Sequence, residues 1–329
     1  MRAIIIKEYG GPENLTIENI PDPKVKPGHV IIEIKAFGIN RAELYFRTGL
    51  WGDVAKVSGI ECVGCVKADP EGQFSVGQTV MALMGGMGRT IDGSYAELVS
   101  VPISNVVAVD TTLSWEDLAA IPESYATAWT CLHRNLDLAA GQTILVRGAT
   151  SALGQAAVNI AVKAGATVFA TTRKKERFET LARLGAEPIL DMPDLSKHGQ
   201  NRWQNRWKDG IDGVLDIVGN STILDSLAMV RAGGRVCLAG FLGGGEPIAS
   251  FNPLTQMPSG VKLSFFASAF SFGSQEYPLS SIPFQDIVNH VVEGTYMAQP
   301  AKVFDFEHIA AAHRFMETDE ANGKIVVRL

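Results

Sequence analysis

The sequence predicts an α/β protein in two parts: a β-rich first part and a doubly wound parallel sheet, followed by a tail that returns to the first part. Three observations carry this. Short β-branched runs separated by turn residues fill residues 1 to about 110. From about residue 140, apolar strands alternate with helical patterns of crossover length. A loop of small residues joins the first of those strands to its helix.

In order, the first part reads as strands AIIIKEYG, HVIIEIKAFGIN, ECVGCVKA, TVMAL and SYAELVSVP, divided by turns such as PDPKVKPG and DPEGQFSVGQ. The stretch SWEDLAAIPESYATAWTCLHRNL has helical spacing, with Ser114 as cap and Asp117 three residues on. Then come strand QTILVRG, helix ALGQAAVNIAVKAG, strand TVFATT, helix KKERFETLARLG and strand EPILD. A polar helix in which Trp203 and Trp207 share a face precedes strand GVLDIVG, helix STILDSLAMVRAG and strand GRVCLAG. VKLSFFASAF adds a further strand, and the tail holds helices PFQDIVNHVVEG and EHIAAAHRFMETDEANG and strand KIVVRL.

Composition excludes several classes. With 46% hydrophobic and 19% charged residues the chain has ample core material and no case for disorder. No apolar run reaches membrane-span length. The start, MRAIIIKEYGG, reads as a first strand rather than a signal peptide. Basic residues are scattered and the formal net charge is −6, which argues against a nucleic-acid surface. Four cysteines make no disulfide framework, so a reduced, cytoplasmic setting is expected.

The strongest chemical signal is ILVRGATSALGQ. Gly148, Ala149, Ser151, Ala152 and Gly154, with Leu153 among them, sit between strand and helix, where a nucleotide pyrophosphate needs close backbone and a helix N-terminus. Tight helix–strand packing without a ligand is the alternative. The next strand ends in Thr171 and Thr172, followed by Arg173, Lys174 and Lys175, with no acid for a ribose hydroxyl. A 2′-phosphate suits three cations, so NADP is expected over NAD, against the alternative of a solvated basic helix start.

SGIECVGCV holds a C-x-x-C pair, Cys62 and Cys65, which reads as zinc ligands, redox dithiol or neither. On a regular strand, positions three apart face opposite ways, and the pair does no joint chemistry. A bulge at Gly64 would undo that inference. Cys131 and Cys237 read as core.

GINRAELYFRTGL, SGIECVGCV, VGQTVMAL, GSYAELVSVP, ATAWTCL, the glycine loop, GVLDIVG, GRVCLAGF and ANGKIVV together resemble the medium-chain dehydrogenase/reductase superfamily, on its zinc-independent quinone oxidoreductase (zeta-crystallin-like) branch. The resemblance implies a Rossmann-type domain over 122–274 and a discontinuous GroES-like catalytic domain over 1–121 and 275–329. Zinc-dependent relatives take a Cys near the position of Asn40 and a His where Ile60 stands before Glu61, and they carry a four-cysteine zinc loop missing here, so no metal is expected. The resemblance places Asn40 and Tyr45 beside the nicotinamide. Tyr45 would donate to the developing oxyanion and Asn40 would orient substrate or nicotinamide. Tyr45 equally reads as a rim residue. Arg47 and Trp51 are expected to line the substrate pocket, with Trp51 as wall and Glu61 structural. Thr127, Gly240, Phe241, Leu242, Phe265, Phe266, Asn322 and Lys324 are implied around the cofactor, with packing as the rival for each.

The implied activity is hydride transfer from NADPH to a small quinone or enone. The rivals are an enoyl-thioester reductase, a zinc alcohol dehydrogenase, a thiol redox protein, and a non-catalytic NADPH-binding, crystallin-like protein. A homodimer through VKLSFFASAF is implied, with no nucleic-acid or membrane partner.

Overall fold

The five β-branched runs become strands β1 (Arg2–Ile6), β3 (His29–Ile39), β4 (Glu61–Ala68), β5 (Thr79–Leu83) and β6 (Leu98–Pro102), and two short strands that the runs did not include join them, β2 (Leu15–Asn19) and β7 (Val106–Ala108). A computed structural model describes residues 1–197 and 210–329, so the face expected of Trp203 and Trp207 lies outside the described residues. Two compact units emerge, Met1–Ala126 with Ser268–Leu329, and Thr127–Ala267.

In the first unit, β3 is the organising strand. Its eleven residues are long enough to pair with β6 through His29–Glu33 and, further along the same edge, with β15 (Ile325–Arg328) through Ala36–Ile39. Its other edge carries β4, then β5 and β7. The chain's last strand is thereby seated against the end of β3, with β14 (Lys302–Asp305) outside it, a strand that the sequence pattern did not announce. Ile32, Phe37, Phe46 and Phe306 of this unit are all fully buried.

The expected helix at 114–136 is broken in two. Ser114 caps α2 (Trp115–Ala119), its hydroxyl accepting from Asp117 N at 3.1 Å. Pro122, which lacks an N–H, opens α3 (Pro122–Thr130).

The second unit is a six-stranded all-parallel sheet in the order β10-β9-β8-β11-β12-β13. Its elements are β8 (Thr143–Arg147), α4 (Ala152–Lys163), β9 (Thr167–Thr172), α5 (Phe178–Arg183), β10 (Glu187–Leu190), β11 (Ile211–Asp216), α6 (Ile223–Met229), β12 (Val230–Leu238), α7 (Pro253–Gln256) and β13 (Lys262–Phe265). The order reverses between β8 and β11, the crevice where such sheets bind ligands. The expected helix 221–233 stops at Met229, because Val230 already pairs with Ile211. Leu145, Phe169, Val214, Leu227 and Val236 form part of its core. The tail then gives α8 (Ser268–Ser271), α9 (Phe284–Val292) and α10 (Ile309–Glu317) in the first unit.

The C-x-x-C pair lies on β4, whose pairing with β5 runs without a slip from Glu61↔Leu83 to Cys65↔Thr79. The bulge near it falls on the partner strand, where β3 carries one extra residue between Ile34↔Gly64 and Ala36↔Val63. Cys62 is buried, Cys65 half-buried, and both are free. Burial raises the Cys62 thiol, which keeps it protonated and unreactive. Gly64 is needed where the bulge presses in, since any Cβ there would collide with the carbonyl oxygen of Glu33.

Gly64→Ala is therefore expected to destabilise the fold by about 1–3 kcal/mol, the usual cost of overpacking. Thermal denaturation checks it, and an unchanged melting temperature would refute the close approach of β3 and β4.

Candidate functional site

GINRAELYFRTGL ends β3 and turns into α1 (Arg41–Thr48), a helix that sequence reading left unassigned. The signal was present. Asn40 and Glu43 have capping-box spacing, and Gly49 closes the helix in the left-handed region at φ 77°. Glu43 reaches back to accept from Asn40 N at 2.6 Å and from Ile60 N at 3.2 Å.

Around this turn the first unit buries an ionic cluster. Glu61 is fully buried and pairs with the ammonium of Lys324, itself buried on the approach to β15. Lys324 Nζ also donates to Asn40 Oδ1 at 2.6 Å, and Asn40 Nδ2 donates to Glu61 Oε1 at 2.8 Å. The other oxygen of Glu61 accepts from Glu123 N at 2.8 Å, at the start of α3. One carboxylate thus ties together β4, α1, α3 and the chain end. The second amide hydrogen of Asn40 faces Glu43 Oε1 at 3.4 Å, so its donors are both engaged and its orientation is held. Ile60, 3% exposed, offers no donor atom. The side chains at 40, 60 and 61 therefore do not fit a divalent metal: an ammonium stands among them, and no cluster of three His, Cys, Asp or Glu suited to a metal occurs among the described residues.

Tyr45 is half-buried and stacks on Trp51 with ring centroids 6.1 Å apart. Burial, with a smaller contribution from Asp319, raises its phenol, so it stays protonated and able to donate. Trp51 is 43% exposed and also packs on Phe46. Arg47 requires a correction. It lines no pocket, being 1% exposed, because its guanidinium is spent internally on Glu317 and on Gly10 O at 2.6 Å. A helical period that puts Tyr45 outward turns Arg47, two residues on, away from it. Nearby, the hydroxyl of buried Tyr95 and Nε2 of buried His313 lie 3.0 Å apart.

In the second unit the glycine loop connects β8 to α4. Ser151 caps α4, accepting from Gly154 N at 3.0 Å and donating to Gly148 O at 2.9 Å. A Cβ on Gly154 would lie 2.6 Å from Ala149 Cα, so the helix start rests directly on the loop, as a pyrophosphate cradle requires. Gly148 N donates to Thr171 Oγ1 at 3.1 Å and Ala149 N to Thr171 O at 3.1 Å. Thr172 is buried at the end of β9, while Arg173 and Lys175 are exposed and Lys174 is intermediate. Arg177 donates to Thr150 Oγ1 at 3.3 Å, a cation at the loop that sequence reading missed although it extends the basic run. After β12, the Gly240–Leu242 turn comes back to this edge, where a Cβ on Gly148 would be 3.3 Å from Leu242 Cδ1. Phe241 and Phe265 pack with centroids 5.9 Å apart. Phe266 and Thr127 are buried, and Asn322 lies in the turn before Lys324. Those of the second unit fit a nicotinamide dinucleotide on the carboxyl edge of its sheet.

Two buried groups make stability depend on pH in opposite directions. Burial, reinforced by Arg47, holds His313 down to about 3, well below the usual 6.5 of an imidazole. The unfolded chain takes up that proton first, so stability rises as pH climbs from 3 to 6.5. Burial raises Glu43 from 4.5 to about 8, against the pull of Lys324 and with help from Glu61. Here the folded state keeps the proton longer, so its contribution is full below 4.5 and is lost as pH rises to about 8. Above pH 6.5 only Glu43 acts, and the melting temperature is expected to fall toward pH 8. Glu43→Gln should flatten that limb in a pH series of melting curves, while lowering stability throughout because an amide has one acceptor for two backbone N–H groups. A slope that survives the substitution would assign it elsewhere.

Two family models match the chain. One is an alcohol dehydrogenase GroES-like domain over residues 26–111, the other a zinc-binding dehydrogenase domain over residues 152–282, a span that leaves out positions 40, 60 and 61. The quinone oxidoreductase of Sus scrofa is 26% identical over alignment of 100% of this chain with 98% of its own. A solved NAD-dependent alcohol dehydrogenase superposes with a TM-score of 0.83 at 26% identity, covering 100% of both chains. A mycobacterial protein complexed with NADPH superposes with a TM-score of 0.86, also over 100% of both chains, and at 23% identity speaks to the fold alone. With its glycine-loop parallel sheet and its GroES-like β unit, the chain belongs to the medium-chain dehydrogenase/reductase superfamily, on the quinone oxidoreductase branch.

Proposed function

We propose that this chain is a zinc-free, NADPH-dependent reductase of quinones or α,β-unsaturated carbonyls. The observation that carries the reading is the cluster at Asn40, Ile60 and Glu61, where Lys324 stands among the positions that supply metal ligands in zinc-dependent relatives. Carbonyl activation then falls to hydrogen-bond donors.

A reduced nicotinamide, when bound, supplies hydride to an electrophilic carbon. The chain's own residues supply the rest. Gly148 to Gly154 and the N-terminus of α4 receive the pyrophosphate. Arg173, Lys174 and Lys175 attract a 2′-phosphate at the end of β9, which carries no acid at Thr172. Tyr45 gives its phenolic proton to the substrate oxygen as it gains charge, and solvent restores it. Asn40 has no spare donor, so its part is orientation, through the remaining lone pair of Oδ1 and the rigid turn. Exposed Leu263 and Phe265 on the edge strand β13 support a homodimer formed there. Among the described residues no helix is long and apolar enough to cross a membrane.

Turnover of NADPH and of NADH, followed with chelator present across quinones, enones, acyl thioesters and alcohols, tests the reading. Chelator-resistant use of NADPH with a quinone or enone is expected. Preference for an enoyl thioester would move the substrate class, and NADH preference would overturn the role of the basic run. Tyr45→Phe is expected to lower kcat with an enone by roughly 10²-fold and with a quinone by less, because water readily protonates a quinol oxygen. Equal, negligible losses for both would return Tyr45 to the rim.

A further inference from the structure

Arg147 ends β8, one residue before the glycine loop, and its guanidinium is 2% exposed. Nε donates to both oxygens of Asp191 at 3.2 and 3.3 Å, and Nη2 to Asp191 Oδ1 at 2.8 Å and to Met192 O at 3.4 Å. Nη1 donates to Asp225 Oδ2 at 2.8 Å, Ser226 Oγ at 3.3 Å and Thr222 O at 3.4 Å. A planar fork with this many partners is fixed in place.

Asp191 is the residue that matters for a ligand. It follows β10, whose last residue Leu190 pairs with Thr172, and its own N–H donates to Thr172 O at 2.8 Å. Its carboxylate therefore stands beside the end of β9, where the 2′-phosphate is proposed. Its Oδ2 accepts from Thr171 Oγ1 at 3.2 Å, and that hydroxyl in turn receives Gly148 N at 3.1 Å. The sequence reading found no acid on β9. The neighbouring strand supplies one, and it is held by Arg147.

A second negative charge next to a phosphate is unfavourable, and in a partly buried site the repulsion is felt over several ångströms. Arg147 answers it with a bidentate pair and draws the carboxylate toward the sheet interior. We propose that Arg147 is a specificity-determining positioning residue: by pairing with Asp191 it cancels the acid beside the phosphate-binding end of β9 and so sets the preference for NADPH over NADH. This rests on the nucleotide site proposed above.

The test is a fluorescence titration of NADPH and NADH on the purified protein, reading the ratio of the two dissociation constants, for wild type, Arg147→Met, Asp191→Asn and the Arg147→Met/Asp191→Asn double variant, each with a melting curve. Arg147→Met is expected to cut the preference for NADPH about tenfold, and the double variant to restore it. Should Arg147→Met fail to fold, Asp191→Asn decides: removing the acid leaves the preference intact or raises it, and a fall in preference overturns the proposal. An Arg147→Met protein that folds and loses both nucleotides in equal proportion also overturns it, since a merely structural arginine moves both together. A wild type that does not prefer NADPH overturns the reading of the basic run itself, a separate result visible before any variant is made.

Discussion

The first unit is arranged around one buried carboxylate. Glu61 has no exposure to water, and it receives an ammonium, an amide and a backbone N–H from three other segments. Taking away one partner of such a pair costs about 3–5 kcal/mol, because the other charge is left stranded. That penalty specifies the arrangement. β15 must reach the end of β3 for Lys324 to arrive, α1 must start at Asn40, and α3 must begin where Glu123 can donate. The chain's far end is thus tied to its first third by an ionic contact, and strand pairing between Ile325 and Ile39 carries it there. Apolar packing alone would tolerate a slip of this end; a buried ion pair would not.

The second unit solves a different problem with the opposite material. A nucleotide needs backbone at close range, so the contact surface between β8 and α4 is built from residues with little or no side chain. The polar support sits one layer below. Asp216, at the end of β11, accepts from Val218 N and Gly219 N at 2.9 Å each, from Thr222 Oγ1 at 2.9 Å and from Ser226 Oγ at 2.6 Å, which holds the turn after that strand. Asp225 does the same for Leu195 N and Ser196 N at 3.1 and 3.0 Å. The carboxyl edge of the sheet is a row of acids turned inward, each satisfied by hydroxyls, backbone or Arg147, beneath a loop open to an anion.

How much of this was legible in the sequence depends on the range of the interaction. The strand–glycine loop–helix unit is local, and its pattern was read together with the doubly wound sheet. The opposite facing of Cys62 and Cys65 follows from the pleat, since the bulge that threatened it fell on β3. What was not legible were contacts between residues far apart in the chain. Arg47 sits beside Tyr45 in a polar, aromatic stretch, and only Glu317, 270 residues on, shows where it points. Lys324 reads from its motif as a cofactor residue, yet its ammonium is committed to Glu61 and Asn40. Helix α1 is the exception, a local miss: the Asn40 to Glu43 spacing announces a capping box, but aromatic and β-compatible residues after it masked the helical period. Met229 to Val230 fails for the same reason in reverse, since a helical pattern continued into residues that a neighbouring strand had claimed.

Charge placement also shapes the first unit. A metal ion at the reacting carbonyl would demand ligands held rigidly and deprotonated. Here Asn40, Ile60 and Glu61 stand at the equivalent positions, with Lys324 and Glu43 packed around them, and Glu43 is pushed up to about 8 and keeps its proton at neutral pH. The cluster then pairs one ammonium with one ionised carboxylate and is close to neutral, which lowers the cost of burying so many ionisable groups. The cluster engages both amide donors of Asn40 and holds its turn in place, so under the proposed reaction the donor role falls to a residue outside it. Tyr45, on the half-exposed face of α1, is protonated and braced by Trp51, which is the state the donor role proposed for it requires.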